Sequence, residues 1–375
     1  MSRSTADLAL EAQVAEGPDR YRFRTADGVH SGDAFREPDL LLLEHLWDAD
    51  LGALCCLEAT YGVPPVVLAN QADTVQATES SARAAALCER NCQENGVDAA
   101  VDCLADPATL PDCFDTVTYA PKPYTAIAMG KRRLAAGLSL LRPGGSFYLA
   151  AATRTGLSRY EDCLRELAGT VETVGSEGDY RLIRSTRPST IDPPEYAPLG
   201  RIDATLDGHD CTFVTRPGLF SASSVDHGTR LLVETAAVED GERVLDLCCG
   251  YGPVGTYAGL AADCEVWLTD DDAVATACAE ASLDASGVDA TVVTADCTAG
   301  VADRTFDRVL CNPPTHAGDG VLRDLFAGAH DVLAPGGSLL LVHHRELDLR
   351  PSLTRFDRVE RRATGAEHVV LAAVP

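Results

Sequence analysis

The sequence predicts an α/β protein made of two tandem copies of one unit, each a mostly parallel sheet with helices on both faces. Two observations carry this. The chain repeats itself, and within each copy short apolar runs alternate with helical stretches. The stretch NGVDAAVDCLADPATLPDCFDTVTYAPKPY (95–124) reads against SGVDATVVTADCTAGVADRTFDRVLCNPPT (286–315). Phe114-Asp115 falls opposite Phe306-Asp307. At the same spacing, Gly144-Gly145 of LLRPGGSFYLAAATR falls opposite Gly336-Gly337 of VLAPGGSLLLVHHRE. GALCCLEATYG (52–62) is a worn copy of RVLDLCCGYG (243–252). One fold has been duplicated. Two domains also suit a chain of 375 residues, at roughly 150 residues per domain.

In the second copy, Arg243–Leu247 reads as a short apolar strand, followed by a glycine loop and a helix through Ala261. Val266–Thr269 is the next strand and Asp271–Ser286 an alanine-rich helix. Strands follow at Thr291–Thr294 and Arg308–Cys311, then a helix at Val321–Leu333 and a strand at Ser338–His343. The end, FDRVERRATGAEHVVLAAVP, reads as two strands around Thr364-Gly365, a terminal β-hairpin. Alternation of this kind implies a parallel sheet covered on both faces. A Pro-rich stretch, STRPSTIDPPEYAPLG, separates the copies and reads as an extended linker, because proline fixes φ and biases its predecessor to extended backbone. The domains are therefore 1–185, a linker at 186–200, and 201–375.

The charge is lopsided, with 57 Asp+Glu against 31 Lys+Arg and a net charge of −26. Only Lys122 and Lys131 are lysines. Acidity spread over the whole chain with lysine nearly absent reads as adaptation to very high salt. At 1 M salt the Debye length is about 3 Å, so self-repulsion is largely screened. Counterion release then contributes little to binding, so the charge neither supports nor excludes RNA. No run of about 18 apolar residues is available to span a membrane. The start, MSRSTADLALEAQVAEG, carries acids where a signal peptide needs an apolar stretch. The chain reads as soluble and cytoplasmic. Its 14 cysteines include no CxxC pair. They read as reduced, buried small hydrophobes, with no metal expected.

The chemistry-bearing motifs fall where such a sheet places its ligands, at the carboxyl ends of the strands. VLDLCCGYGPVG (244–255) is a strand, a glycine loop and a helix start. Glycines let backbone approach a ligand, and the helix N-terminus offers unpaired N–H groups. Alone, the loop suits a dinucleotide, a nucleoside or a phosphate. Asp270 ends the next strand about 20 residues on, where a carboxylate can accept both ribose hydroxyls. Asp271 and Asp272 read as capping or solvated charges. Asp296, in TADCT, ends the third strand within reach of an adenine amine. In CNPPTHAGDG (311–320), Pro313 and Pro314 lack N–H groups and stop the ladder in a rigid turn. The Asn312 oxygen and a proline carbonyl then form two acceptors aimed at one spot, which suits the two N–H donors of an exocyclic amine. Holding both hydrogens directs the amine lone pair at an electrophile and stabilises the charge that develops. On this reasoning Asn312→Asp, which keeps an acceptor, is expected to cost less activity than Asn312→Ala.

With these motifs in hand, the chain resembles the class I S-adenosylmethionine-dependent methyltransferases, and within them the small methyltransferase-domain group. It is most similar to the ribosomal-RNA guanine-N2 methyltransferases, which pair a degenerate N-terminal domain with an active C-terminal one. PGLFSASSVDHGTRLL (217–232), VLDLCCGYGPVG, LTDDDAVATA (268–277) and CNPPTHAGDG carry the resemblance. It implies two tandem Rossmann-like methyltransferase domains and S-adenosyl-L-methionine as cofactor. Ribosomal RNA or a ribosomal subunit is the implied partner. Gly250 and Gly252 would lie beneath the methionine part of the cofactor, with Asp246 supporting the loop. Asp270 would hold the ribose and Asp296 the adenine amine, while Asp226 and Thr229 help close the pocket. Asn312 and Pro313 would hold the target amine, with Pro314, Thr315 and His316 beside it. Two positions depart from the family pattern. Cys248 replaces the usual first glycine, and Thr315 replaces the usual aromatic, leaving His316 to stack on the base.

The first copy fails the same tests. Its loop has become CCLEATYG, Asn70 stands for the ribose-binding acid, and YAPK (119–122) replaces CNPP, so neither cofactor binding nor catalysis is expected there. Guanine-N2 methylation of ribosomal RNA is the first reading. Methylation of a protein glutamine amide of the release-factor type uses the same Asn-Pro-Pro logic. A non-catalytic RNA- or cofactor-binding assembly factor is the third reading.

Overall fold

The computed structural model describes residues 7–11 and 18–375. The expectation that 1–17 holds no signal peptide falls mostly on residues outside these. The chain divides into two units, one ending at Pro198 and the other running from Leu199 to Pro375.

The first unit opens with a two-stranded ribbon, β1 (Asp7–Glu11) and β2 (Arg20–Arg24). There follow α1 (Glu37–Leu46), β3 (Gly52–Leu57), α2 (Val63–Leu68), β4 (Ala72–Glu79), α3 (Ala82–Glu94), β5 (Ala99–Cys103) and β6 (Phe114–Tyr119). The unit closes with α4 (Ile127–Leu140), β7 (Leu141–Ala152), α5 (Leu157–Ala168), β8 (Glu172–Glu177) and β9 (Tyr180–Thr186). The second unit repeats the pattern, with a ribbon of β10 (Gly200–Leu206) and β11 (His209–Thr215), then α6 (His227–Thr235), β12 (Arg243–Leu247) and α7 (Pro253–Ala261). It continues through β13 (Glu265–Asp270), α8 (Ala273–Ser286), β14 (Thr291–Thr294), β15 (Phe306–Cys311), α9 (Asp319–Asp331) and β16 (Leu333–His344). β17 (Arg358–Thr364) and β18 (His368–Val374) form the terminal hairpin.

The two seven-stranded sheets have one topology. Their orders are β5-β4-β3-β6-β7-β9-β8 and β14-β13-β12-β15-β16-β18-β17. In the second sheet the pairs from β14 to β16 are parallel, and β18 joins β16 antiparallel. These are tandem Rossmann-like sheets. The physical reason lies in the strand sequences. A parallel strand covered on both faces must be apolar at successive positions, each facing a different core. In β15, Leu310 packs with Leu340 and Val370 on one face, whereas Val309 and Cys311 pack with Phe326 and Leu339 on the other.

Two features go beyond the expected elements. Each unit carries its N-terminal ribbon, and α8 secures β11: Ser286 Oγ and Ser282 Oγ accept from Thr212 N (3.0 Å) and Val214 N (2.9 Å). In the Pro-rich segment after β9, Ile191 and Tyr196 pack on the first unit's core and Ala197 is buried. α8 begins at Ala273 rather than Asp271, because Asp272 caps it by accepting from Val274 N at 2.9 Å. Such a cap contributes about 1 kcal/mol.

Candidate active site

In the second sheet the strand order reverses between β12 and β15, and at such a switch point loops splay apart to leave a crevice. The loop from β12 to α7 lies on one side of it. Cys248, Gly250 and Gly252 take φ of 64°, 56° and 85°, an alternation of left-handed residues that turns the chain sharply into α7. For Cys248 this backbone costs about 1–2 kcal/mol. A Cβ on Gly250 would meet nothing within 4 Å, so the loop faces open space there. A Cβ on Gly252 would lie 3.2 Å from Ala279, which holds the loop against α8.

Two carboxylates fix this loop. Asp246, buried in β12, accepts from Gly255 N in the first turn of α7 at 2.7 Å. Burial, opposed by the Gly255 N–H and aided by the Asp270 charge, raises its carboxyl to about 7. Asp270, the last residue of β13, accepts from Gly250 N at 2.8 Å through Oδ2 and from Asp272 N at 3.0 Å through Oδ1. Its carboxyl is also raised, mainly by burial. Asp296 is buried two residues beyond β14, and Ala295 N donates to the Asp270 carbonyl at 2.9 Å, which ties the two strand ends together.

Asn312 follows β15 directly. Its Nδ2 lies 3.0 Å from Thr229 Oγ1 and 3.5 Å from Asp226 Oδ2. Asp226 is the N-cap of α6 and accepts from Gly228 N (2.9 Å) and Thr229 N (3.2 Å) through Oδ1. Asp226, Thr229 and Asn312 thus form one cluster. Pro313 is buried, Pro314 is half-buried and accepts from Ala317 N at 2.9 Å, Thr315 is half-buried, and His316 is exposed. His343 and His344 end β16; His343 Nδ1 bonds its neighbour's carbonyl at 2.9 Å. Among the described residues no group of three or more His, Cys, Asp or Glu could hold a metal ion. A cleft lined by Asp240, Glu242, Asp307 and Gly336 lies at the amino ends of β12 and β15, away from these groups.

The first unit carries the same frame with different side chains. Its loop keeps the backbone, with Glu58, Thr60 and Gly62 at φ of 52°, 54° and 95°. The strand-end acid is also kept, contrary to the expectation that Asn70 replaces it. Leu57 pairs with Thr78 as Leu247 pairs with Thr269, so Glu79 stands where Asp270 stands. Glu79 Oε1 accepts from Thr60 N at 2.6 Å, repeating the Asp270–Gly250 bond. Asn70 lies outside that register, in a short 3₁₀ turn where its amide meets the Tyr21 hydroxyl at 3.3 Å. Lys122 Nζ fills the space before this acid, 2.8 Å from Glu79 Oε2 and 3.1 Å from Glu58 Oε2. Arg133 completes the cluster, 3.1 Å from Glu58 Oε1. Burial opposes the Lys122 charge, but Glu79 and Glu58 outweigh it and raise its pKa. Arg36 takes the place of Asp226 at the N-cap of α1. Its Nη2 donates to the carbonyls of Ala120 (2.6 Å) and Pro121 (3.4 Å), which stand in the register of Asn312 and Pro313.

The sequence reading passed over Phe220, whose ring is 67% exposed in the loop before α6. Its signal was an aromatic ring in PGLFSASS, a segment whose one other large apolar residue is Leu219. Gly28 and Ser31 share the left-handed backbone of Gly218 and Ser221, which matches Phe220 with His30. His30 and Tyr124 make an edge-on ring contact at 5.6 Å, and Tyr124 stands in the register of His316.

The chain is similar to known proteins over its whole length. The family described as "Methyltransferase small domain" matches residues 20–184 and again 210–372. A protein of Aeromonas hydrophila named ribosomal RNA large subunit methyltransferase G is 30% identical over 76% of this chain and 77% of its own. A Pseudomonas putida protein of the same name is 30% identical over 91% of this chain and 93% of its own. Among solved structures, the Thermus thermophilus 16S rRNA N2-guanine methyltransferase RsmC, in complex with AdoMet and guanosine, superposes with a TM-score of 0.77. It is 26% identical and covers 98% of both chains. The chain belongs to the methyltransferase small domain family and carries that domain twice.

Proposed function

We propose that the second unit transfers a methyl group from S-adenosylmethionine to the exocyclic amine of a guanine, at N2, in ribosomal RNA. One observation carries this reading. The glycine loop, Asp270 and the Asn312-Pro313 turn meet at a single switch point, in a chain that matches RsmC over 98% of its length. The names of the Aeromonas and Pseudomonas relatives support ribosomal RNA as the substrate.

The residues present fit the cofactor. Open space lies before Gly250, and no cationic side chain pairs with Asp270 among the described residues. In the first unit Lys122 occupies the matching position, and no cofactor is expected to bind. When bound, S-adenosylmethionine supplies the electrophilic methyl group. Asp270 accepts from ribose hydroxyls, Asp296 from the adenine amine, and the loop at Gly250 and Gly252 carries the methionine part. Asp246 holds α7 to that loop. Asn312 Oδ1 and the Pro313 carbonyl accept the two amine hydrogens and stabilise positive charge on the nitrogen as it forms. The base must leave its stack to reach them. His316 and the exposed Phe220 stand at the positions of Tyr124 and His30, which meet edge-on in the first unit, and we assign them to the rim that receives the base. From the charge of −26 we also infer a working medium of high salt in the cytoplasm.

The test is transfer of labelled methyl from S-adenosylmethionine to purified 16S and 23S RNA and to ribosomal subunits in molar KCl, with nucleosides identified by mass spectrometry. N2-methylguanosine is expected. Label in protein glutamine, or no label at all, would overturn the reading.

A further inference from the structure

We propose that Asp226 and Thr229 are positioning residues that set which end of the Asn312 amide faces the target amine. The proposal rests on the reading above. A side-chain amide presents a carbonyl at one end and an NH2 at the other, of nearly the same shape. Only the carbonyl can accept an amine hydrogen, so an Asn turned about its last bond would offer the target two donors instead. Something must therefore fix the orientation before substrate arrives.

The Asp226–Thr229–Asn312 cluster fixes it by the direction of its hydrogen bonds. Asp226 is a carboxylate and can only accept. Its Oδ1 takes the N–H groups of Gly228 and Thr229 at 2.9 and 3.2 Å, which anchors it at the start of α6. Its Oδ2 takes the Thr229 hydroxyl proton. With that proton committed, Thr229 Oγ1 has only lone pairs to offer, and it receives Asn312 Nδ2 at 3.0 Å. Asp226 Oδ2 itself lies 3.5 Å from the same nitrogen. The chain of donors thus runs one way, from Asn312 through Thr229 to Asp226. A reversed amide would set its oxygen against two oxygens with no hydrogen between them. Thr229 is 3% exposed, so water has little access to relieve that clash. The first unit supports the assignment. It has Arg36 and Asp39 at the positions of Asp226 and Thr229, and Ala120 at that of Asn312, so the chain of donors and the amide it would orient are absent together.

The test measures kcat, KM for RNA and cofactor affinity in full-length variants. Thr229→Val keeps the shape and removes the acceptor; kcat is expected to fall about 10-fold or more, with cofactor affinity within about 2-fold of wild type. Thr229→Ser restores the hydroxyl and should recover most of the rate. Asp226→Asn keeps the helix cap, since Asn caps as well as Asp. It can donate to Thr229 or Asn312, so kcat should fall here too; this variant decides the matter if Thr229→Val does not fold. The sharpest arm is a double-mutant cycle. Because Thr229 acts through Asn312, Thr229→Val should cost little further rate in an Asn312→Ala background. Additive losses, unchanged kcat in both single variants, or a loss confined to cofactor affinity would each overturn the proposal. Wild-type protein inactive on RNA would instead sink the functional reading on which it rests.

Discussion

Lys122 Nζ lies 2.8 Å from Glu79 Oε2, with both side chains buried, in the first unit's counterpart of the crevice before Asp270. One topology therefore carries two outcomes. Where the strand-end acid faces an internal ammonium, the frame is closed by its own side chain. Where no cationic side chain among the described residues pairs with that acid and open space lies at Gly250, a ligand can enter. Removing one partner of a buried pair leaves an uncompensated charge and costs about 3–5 kcal/mol.

That contrast sets the binding stoichiometry. Titration calorimetry with S-adenosylmethionine in high salt should give one site per chain. Asp270→Ala should weaken that site by at least 10-fold, whereas Lys122→Met should lower the melting temperature and leave the one site in place. Two equal sites in the wild-type chain would contradict this.

Asn312→Ala should lower kcat by about 100-fold while leaving cofactor affinity intact, as expected for one preorganised acceptor at a developing charge. The structure reverses the expectation for Asn312→Asp. The new carboxylate would lose the donor to Thr229 Oγ1 and face Asp226 Oδ2 across the 3.5 Å now bridged by an N–H. Asn312→Asp should therefore lose at least as much activity as Asn312→Ala. Single-turnover methyl transfer on RNA compares the two directly.

Asp246 gives a stability signature in pH. Its carboxyl is raised to about 7 in the folded chain, against an ordinary value of 3.8. Between these two values the folded state holds the proton more tightly than the unfolded state does. Stability is therefore lost as pH rises through this window, and the loss is complete above about pH 7. Asp246→Asn keeps an acceptor for Gly255 N–H and abolishes the loss, by about 4 kcal/mol at most. Melts at pH 5 and pH 8 should show the variant gaining on wild type mainly at pH 8. Equal shifts at both pH values would count against a raised Asp246.

A net charge of −26 should make the chain salt-dependent. Screening tightens from about 10 Å at 0.1 M to about 3 Å at 1 M salt, so self-repulsion fades across that range. Thermal melts from 0.1 to 3 M KCl should rise steeply. A flat melting temperature would remove the basis for a high-salt working medium.

The sequence by itself determined what is written locally. The alternation of apolar strands and helices, the duplication, the glycine loop and the Asn-Pro-Pro turn all depend on residues a few positions apart. The loop backbone is not written that way: three left-handed positions recur in both loops although Glu58 and Thr60 replace Cys248 and Gly250, and a β-branched threonine does not favour that conformation by itself. Register and pairing across the sheet were decided by the tertiary structure. Asn70 follows an apolar run as Asp270 does, but the spacing of the repeat already puts the counterpart of Asp270 at position 78, and the pairing of β3 with β4 seats Glu79 there. The same holds for the Asn312 cluster. Asp226 and Asn312 are 86 residues apart and meet only because α6 packs on the sheet beside the end of β15. Hydrogen-bond direction is a property of that meeting. No local pattern in the chain could specify it, since an amide and a carboxylate acquire opposite roles only when something fixes which atoms face each other.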